Sequence, residues 1–238
     1  MTPLLETRAL NVHFGGVHAT RDVNFMLAEN ELRCVIGPNG AGKSTFFKLL
    51  TGQIKPTSGQ ILFRGQDISK MQPHQPGRLG IGIKTQVPSL FNGLSVWENI
   101  WLSARRVNSN KQAERITSET IKRVGMTSYK DTIAGLLAHG LRQWVEIGVV
   151  IAADPPLILL DEPAAGMSDS EVARTAELIL DINRDHALVV VEHDMNFIRM
   201  IAKKVTVLHQ GAILREDTPD RIMADPMVQQ IYLGKKPH

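Results

Sequence analysis

The chain has 238 residues, 43% of them hydrophobic and 21% charged, which is the balance of an ordinary globular fold of one or two domains. Its 27 basic and 24 acidic residues leave a net charge of +3, too slight a surplus to argue for a nucleic-acid partner. The single cysteine, Cys34, excludes an internal disulfide and fits a reducing compartment, where it reads as a small buried hydrophobe rather than a nucleophile.

The opening Met1-Thr2-Pro3-Leu4-Leu5-Glu6 lacks the basic-then-apolar build of a secretory signal. Short alternating runs at Leu5 to Phe14, Val23 to Leu27 and Leu32 to Ile36 predict β-strands, with turns at Gly15-Gly16 and Glu29-Asn30. Directly after the third run, Gly37-Pro38-Asn39-Gly40-Ala41-Gly42-Lys43-Ser44 fits the phosphate-cradling pattern G-x-x-x-x-G-K-[ST], and Thr45 to Leu50 opens a helix. A strand, a glycine-rich loop and a helix in that order is the context the pattern needs. The glycines let successive backbone N–H groups converge on one anion, and the helix N-terminus adds its positive end. Lys43 then reaches the outer phosphates and the Ser44 hydroxyl ligates Mg²⁺, so the chain is expected to bind a nucleoside triphosphate.

Gln60 to Asp67 predicts a further strand ending in a turn, and Arg78 to Val87 another, although Gly80 and Gly82 weaken it. The texture becomes helical from Ser95, where Ser95-Val96-Trp97-Glu98 forms a cap-like start. A second helix is expected over about Asn110 to Val124 and a third from about Gly140 to Ala153, stopped by Asp154-Pro155-Pro156. Trp97 and Trp101 share a helical face and read as core packing, with contact to a membrane partner as the alternative. The all-apolar Leu157 to Leu160 has the character of a parallel strand buried on both faces. Ser168-Asp169-Ser170-Glu171 is a capping box opening a helix to about Arg184, with Val172, Ala176, Ile179 and Asn183 on one side. Leu188 to Val191 and Val205 to Leu208 are further strands, Pro219 to Leu233 one or two short helices, and Lys235-Lys236-Pro237-His238 a frayed tail. No apolar stretch exceeds Ile147 to Ala153, seven residues, so any membrane role needs a partner that supplies spanning helices.

Strands alternating with helices predict an α/β fold with a mainly parallel sheet, preceded by an N-terminal antiparallel β part. The division expected is a catalytic core over about 1–94 and 154–238, with a helical subdomain inserted at about 95–153. In such sheets, sites form at the carboxyl ends of strands. Asp161 and Glu162 stand at one such end: the first suits Mg²⁺ or its water, the second the γ-phosphate and an attacking water. His193 follows another strand and Gln86 a third, where an imidazole meets the γ-phosphate and an amide meets metal or water.

Together these positions resemble the ATP-binding cassette (ABC) family of transport ATPases from about Leu4 to Leu233. The resemblance implies that Phe14 stacks on adenine, that Gly37 to Thr45 hold the triphosphate, and that Ser44, Gln86 and Asp161 serve the metal. It also implies that Lys43, Gln86, Glu162 and His193 carry hydrolysis. Leu137-Ala138-His139-Gly140-Leu141 stands where the family has Leu-Ser-Gly-Gly-Gln, and the family's two cassettes pair head to tail so that this loop closes over the partner's ATP. On that likeness Ala138, His139 and Gly140 contact nucleotide in trans. Ala138 and Leu141 depart from the pattern, losing a hydroxyl and an amide, and Ser168 stands where the family usually has aspartate. Phe14-Gly15-Gly16-Val17, the run His139 to Gly148 and Pro163 to Asp169 are similar to importers of urea and branched-chain amino acids, most of all to the urea type.

That resemblance implies a cytoplasmic ATPase held at the inner membrane face by permease subunits, served indirectly by a solute-binding protein, with no nucleic acid. Two alternatives stand beside it. One is a soluble ATP switch in translation or DNA repair, though the chain lacks the second cassette or long coiled coil of such relatives. The other is a metabolic kinase, which leaves His193 and 137–141 without a role.

Overall fold

The computed structural model describes residues 2–86 and 89–233. The expected frayed tail, and the Val87 end of the strand expected from Arg78, lie outside those residues. Strand β1 (Leu5–Phe14) turns at Gly15-Gly16 into β2 (Val17–Leu27), which begins six residues earlier than its apolar run suggested. The β3 strand (Leu32–Ile36) is wholly buried and leads through the glycine-rich loop into α1 (Lys43–Leu50). A short hairpin follows, β4 (Ser58–Phe63) and β5 (Gln66–Asp67), then a one-turn helix α2 (Gln75–Arg78) and β6 (Ile81–Lys84).

Three helices come next: α3 (Val96–Arg105), α4 (Asn110–Arg123) and α5 (His139–Ile151). Reciprocal capping boxes, Ser95 with Glu98 and Ser109 with Gln112, start the first two and satisfy N–H groups that a helix end leaves orphaned. The rest alternates as β7 (Leu157–Asp161), α6 (Asp169–Ile182), β8 (Ala187–Val191), α7 (Met195–Ile201), β9 (Lys204–His209) and β10 (Ala212–Asp217). Two short helices, α8 (Pro219–Ala224) and α9 (Pro226–Leu233), close the described chain.

Two sheets result. The first is antiparallel, in the order β2-β1-β4-β5. The second has the order β10-β9-β3-β8-β7-β6, parallel throughout except for the β9–β10 hairpin at one edge. Alternation along its strands splits the core in two. Val35, Leu157, Leu159, Val189 and Val191 pack with α1 and the antiparallel sheet. Cys34, Ile158, Leu160, Leu188 and Val190 pack with the helices on the other face. A parallel sheet covered on both sides has no solvent face, which is why its strands read as continuous apolar runs. Trp97 and Trp101 stack with ring centroids 5.8 Å apart against the helix-side core, as packing residues. No helix among the described residues is long and apolar enough to cross a membrane.

Candidate functional site

The strand order places four loop ends side by side. The carboxyl ends of β3, β8, β7 and β6 are adjacent, and they deliver the phosphate loop, His193, Asp161 with Glu162, and Gln86 to one edge of the sheet.

The phosphate loop is shaped by close approach. Gly42 has φ +101, and a Cβ there would sit 2.6 Å from the Ala19 carbonyl oxygen, so only glycine fits between this loop and β2. Gly42 is also the N-cap of α1 and supplies no side chain to it, which leaves the first N–H groups of that helix for an anion. Over the loop lies an open cavity of about 560 Å³, walled by Asn39 to Thr45, by Val17, His18 and Arg21, and by Glu162 and Gln210. Lys43 Nζ donates to the carbonyl oxygens of Gly37 and Pro38 at 2.5 and 3.1 Å. Burial draws its pKa below the usual lysine value against the pull of Glu162 and Asp161.

Glu162 adopts φ +46, a left-handed conformation unusual for a glutamate, at the point where β7 gives way to its loop. Its backbone N–H donates to Val191 O at 2.9 Å and ties the turn to the end of β8. Two predicted site residues meet its carboxylate: Gln86 Nε2 donates to Oε2 at 3.0 Å, and His193 Nδ1 lies 3.4 Å from Oε1. The neighbouring Asp161 is pushed above the ordinary aspartate range, first by burial and then by the Glu162 charge. Two adjoining carboxylates, one half-buried and strained toward protonation, are a donor set that a hard divalent cation relieves. No cluster of three or more His, Cys, Asp or Glu that could hold a metal ion occurs among the described residues.

The remaining predicted residues sit elsewhere. Phe14, 51% exposed at the tip of the β1–β2 hairpin, is not part of the cavity wall, where Val17 and His18 of the same hairpin stand. Ala138, His139 and Gly140 begin α5 and do not line the cavity either. Ala138 offers no side-chain cap to that helix. His139 Nε2 is 3.0 Å from the Ala165 carbonyl oxygen, and Gly140 packs so closely on the Glu171 carboxylate that a Cβ there would collide with it. Glu171 accepts from Ser168 N–H at 2.9 Å, so Ser168 is engaged in capping α6 within its own chain.

Several participants escaped the sequence reading. Gln210, at φ +48, lines the cavity from the β9–β10 turn. Glu192 is buried beside His193 and accepts from the N–H groups of Ala164 and His193 at 3.4 and 3.0 Å, joining the loops after β7 and β8. A carboxylate inside an apolar strand end was the available signal.

Comparison with known proteins agrees with this geometry. The family model described as ABC transporter matches residues 20–165. The branched-chain amino acid transport ATP-binding protein BraF of Pseudomonas aeruginosa is 33% identical over 251 aligned positions, with 98% of each chain covered. The lipopolysaccharide export system ATP-binding protein LptB of Acidithiobacillus ferridurans is 32% identical at the same coverage. Among solved structures, the ADP conformation of an ATP-binding cassette of an ABC transporter superposes with a TM-score of 0.88 at 24% identity, covering 99% of this chain and all of that one, a likeness of fold. A phosphate loop, a strained glutamate flanked by a glutamine and a histidine, and this family match together make the chain a member of the ABC transporter family, an ATP-hydrolysing cassette that uses ATP and Mg²⁺.

Proposed function

We propose that this cassette powers the import of a small polar solute through partner membrane subunits, with urea as the first candidate and a branched-chain or other amino acid as the second. The observation that carries the ATPase half of the reading is the meeting of Gln86 and His193 on the two oxygens of Glu162, next to the phosphate loop. In this reading residues 1–94 and 154–238 form the catalytic core and 95–153 the helical subdomain.

The residue roles in this reading are those that the family resemblance implies. Phe14 stacks on the adenine from the hairpin tip. Gly37, Pro38, Asn39, Gly40, Ala41, Gly42, Lys43, Ser44 and Thr45 wrap the triphosphate, and Lys43 exchanges the Gly37 and Pro38 carbonyls for phosphate oxygens. Ser44, Gln86 and Asp161 hold Mg²⁺, which when bound neutralises charge on the phosphates. Glu162 accepts a hydrogen bond from the attacking water and orients it, while His193 faces the transferring phosphoryl group. Catalysis of this kind is mainly positioning and electrostatics.

The N-terminus of α5, with Ala138, His139 and Gly140, stands apart from the chain's own cavity, which supports a head-to-tail pair in which it completes the pocket of a second cassette. Against the helical face, a groove lined by Ile83, Ser103, Arg106, Val107 and Val149 opens beside the exposed Phe91, a surface suited to a helix of a membrane subunit. Closing on ATP and opening after hydrolysis would move such a subunit by population shift. That coupling holds the chain at the cytoplasmic face of the membrane. The urea preference rests on the likeness of the His139 variant and of the segment Gly166 to Asp169 to urea-type subunits.

Glu162→Gln tests the reading. Purified in mild detergent with saturating Mg-ATP, this variant should be a dimer that retains nucleotide and carries membrane subunits with it. Labelled-solute uptake by the parent complex then separates urea from amino acids. A Glu162→Gln chain that hydrolyses ATP at the parent rate, or that carries nucleic acid instead of membrane protein, would overturn it.

A further inference from the structure

Glu192 is a buried acid that the roles above leave unused. It directly follows β8, is only 2% exposed, and burial pushes its carboxyl above the ordinary glutamate range. Among the described residues no lysine or arginine forms an ion pair with it; its ion-pair contact is with the His193 ring, whose Nδ1 lies 3.8 Å from Oε2. A charge held in this way is costly unless hydrogen bonds compensate it. The compensating donors are backbone N–H groups, and they come from two loops. Oε1 accepts from Ala164 N–H at 3.4 Å, and Oε2 accepts from His193 N–H at 3.0 Å and Asp194 N–H at 3.5 Å. Ala164 stands two residues after Glu162. One oxygen therefore anchors the loop that carries the glutamate, and the other anchors the loop that carries the histidine.

The parallel ladder does not reach these anchors. Its last pair is Asp161 opposite Val191, and beyond it Glu162 N–H donates to Val191 O. Farther along, Asp194 caps α7 by accepting from Asn196 and Phe197 N–H at 2.8 and 3.3 Å. Only Glu192 and His193 lie between strand and cap. Glu192 N–H donates to Val35 O of β3, whereas His193 N–H goes to the Glu192 carboxylate. The ring is placed accordingly, with Nδ1 3.4 Å from Glu162 Oε1 on one side and 3.8 Å from Glu192 Oε2 on the other. Ionised carboxylates only accept, so Nδ1 is the nitrogen that carries the proton there, and Nε2 is left for phosphate.

We infer that Glu192 is a positioning residue for hydrolysis: its two oxygens tie the loop after β7 to the loop after β8 beyond the end of the ladder, and so set His193 against Glu162. The inference rests on the reading that Glu162 and His193 work at the terminal phosphate. Glu192 is not part of the cavity wall, so it acts through His193 rather than on nucleotide. A neutral amide of the same shape cannot replace it. Such a group offers one oxygen, and it turns its own N–H donors on the N–H of the other loop.

The test is a set of variants in the full chain, read by steady-state Mg-ATP hydrolysis and calorimetric nucleotide binding. Glu192→Gln keeps size and burial but serves only one loop. It should lower kcat about 3- to 10-fold, with KM and nucleotide affinity within about twofold of the parent. Glu192→Leu serves neither loop and should lower kcat about 10- to 100-fold with the same split, the scale of a misplaced catalytic group. Added to His193→Ala, Glu192→Gln should cost nothing more, because both remove one placement. The glutamine variant decides the matter alone if the leucine variant fails to fold. A parent-like kcat in Glu192→Gln beside a slow His193→Ala overturns the inference and leaves the His193 role standing. So does a loss confined to KM, or losses that multiply in the double variant. A His193→Ala variant as fast as the parent removes that role, and the inference with it.

Discussion

His193 faces Glu162 across adjacent strand ends, with its Nδ1 3.4 Å from the glutamate Oε1. The contact exists because β7 and β8 pair in parallel with Asp161 opposite Val191, so the residues that follow each strand emerge together. A histidine held there can orient the glutamate and still present its other ring nitrogen to phosphate. Replacing it with alanine should slow hydrolysis by about 10²- to 10⁴-fold, the usual worth of a positioned acid–base group, while nucleotide binding persists. Phosphate release and equilibrium nucleotide binding on one preparation check this; an unchanged rate removes His193 from the site.

Lys43 is already turned inward on two carbonyl oxygens of its own loop. Lys43→Ala should therefore weaken Mg-ATP binding rather than unfold the protein. Loss of a charged hydrogen bond to phosphate is worth about 1.5–3 kcal/mol, or roughly 10- to 150-fold in Kd. Calorimetric titration reads it directly, and an affinity within twofold of the parent contradicts the assignment.

Ala138 begins α5 with no side chain to offer. Ala138→Ser adds a hydroxyl where the head-to-tail pair proposed above would bring a partner's terminal phosphate. In a Glu162→Gln background, ATP-driven dimerisation should strengthen by about 1.5–3 kcal/mol, the worth of a hydrogen bond to a charged group. Sedimentation with and without nucleotide measures the change. If association stays the same, the trans contact at this position is wrong.

Cys34 is fully buried in β3, and burial together with the nearby Glu192 charge pushes its thiol far above the ordinary range. A thiol so disposed is not a nucleophile. Maleimide should leave the native protein unlabelled and react fully once the chain is unfolded. Stoichiometric labelling under native conditions would refute this.

Glu98 accepts from the Ser95 N–H at 2.7 Å and from its hydroxyl at 2.8 Å, and these bonds hold its carboxyl below the ordinary glutamate range. A carboxyl whose folded value is depressed contributes stability above its unfolded pKa and loses it as pH falls through the folded value. Glu98→Ala should therefore lower Tm by a constant amount between about pH 6 and 8, and the gap to the parent should shrink below about pH 4. A gap that persists undiminished at lower pH contradicts the assignment.

Much of this was local chemistry, and local chemistry is readable in order along the chain. The phosphate loop, the capping boxes at Ser95 and Ser168, the proline stop after Ala153 and the apolar runs at 157–160 and 188–191 each need only neighbours within a few residues. Most of these elements stand within a residue or two of where their own residues put them, but β2 begins six residues earlier, Arg78 belongs to α2 and β6 starts only at Ile81, and the run Gln60 to Asp67 is a hairpin of β4 and β5. Short pieces were missed. β10 owes its strand form to pairing with β9, and α2 and α7 are too short to show a helical period.

The amino-acid order alone determined that this chain cradles a triphosphate and carries two carboxylates, a histidine and a glutamine at strand ends. Only the folded sheet decided that these four ends lie beside one another, because the order β3-β8-β7-β6 comes from crossovers that no local pattern encodes. The tertiary structure likewise turned Glu162 into a left-handed backbone between Gln86 and His193, and set Glu146 against Lys84 across 62 positions of chain. Long-range pairing carries no periodicity of its own, since its energy comes from surfaces that meet only once the chain has closed.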